Sequence, residues 1–115
     1  MKRNPAVERT KEYIQNHYAE EILLQDLRKI SGWSAYHLIR IFRREVGRSP
    51  HKYLVNVRIE RTKLLLIQGR PIIEIAQETG FADQSHFTRC FKTVVGITPG
   101  AFRKDWERGR PARTS

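Results

Sequence analysis

The sequence predicts an all-α protein of about seven helices, arranged as two helix-turn-helix units joined by a long helix. Three observations carry this expectation. Apolar residues recur at helical spacing along most of the chain, and no stretch sustains a period-two alternation. Cap and stop residues punctuate that pattern at short intervals. One segment also occurs twice: Gly32 through Arg43, closing on Gly47-Arg48-Ser49-Pro50, returns as Gly80 through Lys92, closing on Gly96-Ile97-Thr98-Pro99. The offset between the copies is 49 residues from Ser34 and Asp83 onward and 48 before them, because Ala82 is inserted. Two copies with one long spacer are too few for a stacked solenoid.

The first helix is expected from Ala6 to His17, where Val7, Tyr13 and Ile14, with Thr10 between, form one stripe. A short helix follows from Leu24 to Ser31 on Leu24, Leu27 and Ile30, and Gly32 ends it. Ser34 caps the next helix, which runs to about Val46 and stops at Gly47. Ser49-Pro50 opens a long helix to Gln68-Gly69, with Ser as the cap and Pro in the first helical position. Pro71 restarts a short helix to about Thr79, Asp83 caps the following one, and Thr98-Pro99 starts the last, to about Trp106. The expected organisation is a first helix-turn-helix subdomain (1–49), a linker helix (50–69) and a second subdomain (70–106). A basic tail (107–115) lacks apolar periodicity and is expected to be disordered in isolation.

Composition narrows the function. Twenty-two Lys and Arg against 12 Asp and Glu leave a formal charge of +10 on 115 residues, which attracts polyanions such as nucleic acid or an anionic membrane. The longest apolar run, Leu64-Leu65-Leu66-Ile67, is far too short to span a bilayer, and charges from Lys2 through Lys11 interrupt any signal-peptide pattern. A cytoplasmic protein with no membrane partner is expected. Cys90 is the single cysteine, so no intrachain disulfide forms; it falls on an apolar face and is expected to be inert packing. His37 and His86 lie on different helices and the histidine spacings fit no zinc site, so neither metal nor cofactor is expected. No acid pair, nucleophile with base, or phosphate loop sits at a useful spacing, which excludes an enzyme.

The repeated helices sort their residues by chemistry. In the second, Phe87, Cys90, Phe91 and Val94 share one face, and Ser85, Thr88, Arg89 and Lys92 lie opposite. In the first, Leu38, Ile41 and Phe42 oppose Tyr36, Ile39, Arg40 and Arg43. An apolar stripe to hold the helix and a polar, basic stripe facing outward is the layout of a helix that enters a major groove. The base-reading candidates are Tyr36, Ile39, Arg40, Gln84, Ser85, Thr88 and Arg89; the phosphate candidates are His37, Arg43, His86 and Lys92. Arg40 and Arg89 are equivalent in the repeat, and each can donate two hydrogen bonds to guanine O6 and N7 or sit on a phosphate. Gln84, Ser85 and Thr88 suit base edges or phosphate. Tyr36 and Ile39 form no bidentate pair; they read thymine methyls or shape, or simply pack. The spacer helix would be about 28 Å long, against about 34 Å between successive major grooves, so helix tilt or DNA bending would bring both helices into adjacent grooves. The expected target is a bipartite, non-palindromic site on double-stranded DNA. The competing reading is a basic helical module that binds an acidic protein partner, or DNA without sequence preference.

The second unit holds a long, specific run: Pro71-Ile72-Ile73-Glu74-Ile75-Ala76, Gly80-Phe81, Asp83-Gln84-Ser85-His86-Phe87, Arg89, Phe91-Lys92, Gly96 and Thr98-Pro99. By these residues most strongly, and from about Val7 to Phe102, the chain resembles the AraC/XylS family of bacterial transcription regulators. The resemblance implies two helix-turn-helix subdomains and control of promoters, usually activation through contact with RNA polymerase, in the bacterial nucleoid. Family base-contact positions fall on Tyr36, Ile39, Arg40, Gln84, Ser85, Thr88 and Arg89. Departures cluster in the first unit. Leu23 stands where Ser or Thr usually caps, Arg28 where alanine is usual between closely packed helices, and Ile39 where a polar reader is common; Thr62 replaces a usual alanine in the linker. The second unit is therefore expected to supply more of the specificity. Family members usually carry a separate N-terminal domain. A few are free-standing, so the chain is expected to be either a free-standing member or the DNA-binding part of a longer regulator. Met1-Lys2-Arg3-Asn4 has the look of a linker remnant and favours the latter, and a small-molecule effector is expected only if such a domain exists. Arg108-Gly109-Arg110-Pro111 resembles the core of an AT-hook, in which Gly lets two arginines approach a narrow minor groove.

Overall fold

The computed structural model describes residues 4–109, and the described residues form seven helices and no strand. They are α1 (Pro5–His17), α2 (Leu24–Ser31), α3 (Ala35–Val46), α4 (Pro50–Ile67), α5 (Ile72–Glu78), α6 (Gln84–Val95) and α7 (Pro99–Glu107). None of them is long and apolar enough to cross a membrane. The chain divides into two compact units, and the division falls inside α4, between Val57 and Arg58, rather than at the ends of that helix.

Local chemistry sets most helix starts. The side chains of Ser34, Ser49, Asp83 and Thr98 each accept a backbone N–H three residues on, at 2.7–3.3 Å. Each satisfies one donor that the helix itself leaves unpaired. Asn4 accepts the Ala6 N–H, two residues on, at 2.9 Å and so caps α1; Met1 to Arg3 lie outside the described residues. Leu23 has no acceptor to offer α2. Asp26 supplies the missing order from within the helix, its carboxylate accepting the Leu23 N–H at 2.9 Å. Pro71 precedes α5 as its cap residue instead of being its first helical position.

In the first unit, Val7, Ile14, Leu27, Leu38, Ile41, Phe42 and Leu54 make one buried cluster. Tyr13, Trp33 and Tyr53 are only partly buried against it, so Tyr13 flanks the stripe of α1, which Ala6 and Thr10 complete. α2 contributes Leu27 and Ser31 to the interior; Leu24 is exposed and Ile30 half-buried. Arg28 lies on the exposed side of α2, not in a tight helix contact, which is why a long charged side chain is tolerated there.

The second unit is built on aromatic rings. Phe81, Phe87, Phe91 and Phe102 follow one another at centroid distances of 5.3–5.7 Å, mostly edge to face, with Ile59, Leu66, Ile75 and Val95 buried as well. On α6 the fully buried register is Phe87, Phe91 and Val95, at i, i+4 and i+8, so Cys90 and Val94 flank the core and are half-buried. α7 runs one residue further than expected, to Glu107, followed by a turn at Arg108 and Gly109; Arg110 and Pro111 of the AT-hook-like segment lie outside the described residues.

Candidate nucleic-acid interface

Each unit presents one helix in the same way. On α3, Tyr36, Ile39, Arg40 and Arg43 fall at i, i+3, i+4 and i+7, and all four are exposed. On α6 the equivalent residues are Ser85, Thr88, Arg89 and Lys92; Thr88 is half-buried and the others are exposed, as is Gln84. Ser34 and Asp83 cap these helices with side-chain bonds to the N–H of His37 and His86 at 3.3 and 2.7 Å. The residue before each turn's cap region is aromatic and meets the equivalent histidine edge-on. Trp33 lies 4.7 Å from His37 and Phe81 lies 5.6 Å from His86, centroid to centroid. His37 is exposed, whereas His86 is half-buried with its Nδ1 enclosed and without a hydrogen bond.

Charge is distributed unevenly among the arginines. Arg40, Arg43, Arg44, Arg89 and Lys92 are exposed and have no carboxylate partner among the described residues. Arg44 extends the α3 stripe by one turn from Arg40; the same spacing that finds Arg40 and Arg43 finds it, yet the sequence reading passed over it. Tyr36, Ile39, Arg40, Arg43 and Arg44 together line a shallow surface hollow. Other arginines are consumed internally. Arg9 donates to the carbonyls of Ile30 and Ser31 at the end of α2. Arg103 donates to those of Leu66 and Arg70 at the end of α4, and Arg70 pairs with Glu78. The carbonyls of Ile30, Ser31 and Leu66 belong to the last turns of their helices, where a cation also meets the negative end of the helix dipole; Arg70 lies just past α4.

The turn in each unit passes through a left-handed glycine. Gly32 (φ 78°) ends α2 with its N–H on the Arg28 carbonyl at 2.8 Å. Gly80 (φ 91°) is more constrained: a Cβ there would lie 2.9–3.0 Å from the guanidinium of Arg58. Arg58 comes from α4, is 9% exposed, and lies 5.9 Å over the Phe81 ring. Burial lowers its pKa. Arg58 is a residue the sequence reading missed, although Leu54, Arg58, Thr62 and Leu66 fall at four-residue spacing and all four are buried. An arginine in a core register was the available signal. Burial pushes the Cys90 thiol up, against the lowering effect of Arg89 and Arg58.

Comparison with known proteins agrees with this geometry. The model of a helix-turn-helix domain family matches residues 27–105. The uncharacterized HTH-type transcriptional regulator YbfI of Bacillus subtilis is 47% identical over 75 residues, which cover 65% of this chain and 27% of YbfI. The C-terminal domain of AraT, a response regulator from Geobacillus stearothermophilus, superposes with a TM-score of 0.83 at 31% identity, over 88% of this chain and 85% of that one. The DNA-binding domain of AdpA, solved in complex with a target DNA, shares the fold with a TM-score of 0.84 at 24% identity, over 95% of this chain and 98% of that one. The chain spans only about a quarter of the length of YbfI and 13–36% of other curated relatives it matches. Two capped helix-turn-helix units in an all-α chain, matched by family and by fold, make this a DNA-binding domain of the AraC type of transcription regulators, and not an enzyme.

Proposed function

We propose that this domain binds a bipartite, non-palindromic promoter site, with α3 and α6 as unlike recognition helices in successive major grooves, and that it serves activation. The observation that carries the proposal is the pair of equivalent outward stripes, each with exposed cations that have no carboxylate partner among the described residues. A protein that spends none of these charges internally keeps them for a polyanion. In this reading Arg40 and Arg89 pair with guanine, and Gln84, Ser85 and Thr88 bond base edges. Arg43 and Lys92 hold phosphates, assisted by His37 and by His86 through its Nε2. Contact with RNA polymerase, and an effector bound by a separate domain of a longer regulator, belong to the same proposal, as does a place in the cytoplasm on the nucleoid.

Selection of bound duplexes from a random pool, followed by titration at several salt concentrations, tests it. The expected result is two separated conserved blocks of unlike sequence and a steep fall of affinity with salt. Equal affinity for random DNA and heparin would support the alternative of an unspecific basic module. A single block would remove the bipartite mode.

A further inference from the structure

The two reading stripes occupy the same positions but offer different chemistry. Where α6 presents the hydroxyls of Ser85 and Thr88, α3 presents Tyr36 and Ile39. Tyr36 is 76% exposed, more than any other large hydrophobic side chain among the described residues, and Ile39 is 39% exposed one helical turn further on. Tyr36 lies in the first turn of α3, and the N-terminal residues of a recognition helix are those that meet base edges. Leu38, Ile41 and Phe42 already anchor the helix, so the fold does not need Tyr36 to face water. Ile39 lines both an apolar cleft, with Ile14, Leu27 and Leu54, and the hollow with Arg40, Arg43 and Arg44.

An apolar patch beside three arginines that have no carboxylate partner among the described residues suits one feature of duplex DNA. The only apolar group on a major-groove base edge is the thymine 5-methyl, and phosphates flank it. We propose that the first unit recognises its half-site through thymine methyls, with Tyr36 and Ile39 as the specificity-determining side chains. This rests on the reading of α3 as a recognition helix. The second unit reads by hydrogen bonds instead. The departure of Ile39 from a polar reader is then a change of what is read, from a donor and acceptor pattern to a methyl group, and not a loss of reading.

Deoxyuridine tests this, because it keeps every hydrogen-bonding group of thymidine and lacks the methyl. The probe is the duplex obtained by selection, with the half-site of α3 identified as the one whose discrimination Arg40→Ala alters. Thymines in that half-site are replaced singly by deoxyuridine. The expected result is binding about fourfold weaker at one or two positions, the size of one buried methyl group. In Ile39→Ala or Tyr36→Ala the same replacement should change little; both side chains are exposed, and unchanged thermal melting verifies folding. Equal binding of the thymidine and deoxyuridine duplexes by the parent protein, with preference over random DNA intact, would overturn thymine reading and leave sequence-specific recognition standing. A deoxyuridine effect that persists undiminished in both variants would overturn the assignment to Tyr36 and Ile39. Loss of all preference over random DNA would instead take down the underlying reading of the two helices, and this proposal with it.

Discussion

Arg89 and Arg58 lie close enough to influence the same thiol, Cys90, yet Arg89 is exposed and Arg58 is buried. Arg89 has no carboxylate partner among the described residues, and a base contact predicts that Arg89→Ala relaxes discrimination at one base pair and costs about 1–3 kcal/mol there. Titration against single-base variants of the selected duplex measures it; a uniform loss over all sequences would make Arg89 a phosphate contact. Arg58 shapes the turn ahead of α6 by packing where Gly80 has no side chain. Gly80→Val introduces a β-branched residue at φ 91° and a clash with that guanidinium, and should lower stability by about 2–3 kcal/mol in urea denaturation. An unchanged midpoint would contradict the packing. Cys90 provides a pH test. Its thiol pKa is raised, mainly by burial, so the proton is held more tightly in the folded state than in the unfolded chain. Its contribution to stability is complete below about pH 8.5 and lost as pH rises through the folded value. Alkylation of the native protein should therefore be slower at pH 8 than that of a free thiol, with the rate still climbing above about pH 8.5. A rate plateau below that pH would show a depressed pKa.

At the scale of elements, the helix boundaries were legible because their causes lie within three or four residues. Ser34, Ser49, Asp83 and Thr98 name their helices' starts, and the structure shows each side chain bonded as a cap. Ser34→Ala and Asp83→Ala should each cost about 1 kcal/mol, read from the thermal or urea midpoint. No change in either would mean that the first turn is held by packing alone. The faces of the helices were less legible. Leu24 and Ile30 follow the apolar spacing of α2, but an eight-residue helix has little surface to bury, and Leu27 with Ser31 takes it. Val95 rather than Val94 completes the α6 core, since the aromatic register at Phe87 and Phe91 continues in steps of four.

For the whole molecule, the net charge of +10 overstates what is offered to a partner and hides where it is offered. Arg9, Arg58, Arg70 and Arg103 are engaged with the protein's own carbonyls, rings or carboxylates. The cations on α3 and α6 that have no carboxylate partner among the described residues define the stripes. Arg43→Gln with Lys92→Gln should flatten the dependence of log affinity on log salt by roughly 0.9 for each phosphate that is no longer neutralised, with little effect on sequence preference. An unchanged slope would place both residues away from the DNA. The division of the chain inside α4 also assigns that helix to both units, with Leu54 in one core and Ile59, Thr62 and Leu66 buried in the other.

The all-α class, the seven helices, the caps of α3, α4, α6 and α7 and the doubled unit that carries the candidate interface could all be read along the chain. These depend on spacing, on side chains bonding their own backbone, and on glycines at left-handed turns, all of which are local. Packing, in contrast, settled which arginines remain available and which are bound at helix ends or over Phe81. It also decided that Arg28 faces solvent and that Cys90 lies at the edge of the core rather than within it. Those outcomes depend on burial and on partners as far away as Ile30 is from Arg9 or Leu66 from Arg103. No periodicity along the chain encodes which distant carbonyl a cation will meet, because that is fixed only when the helices pack.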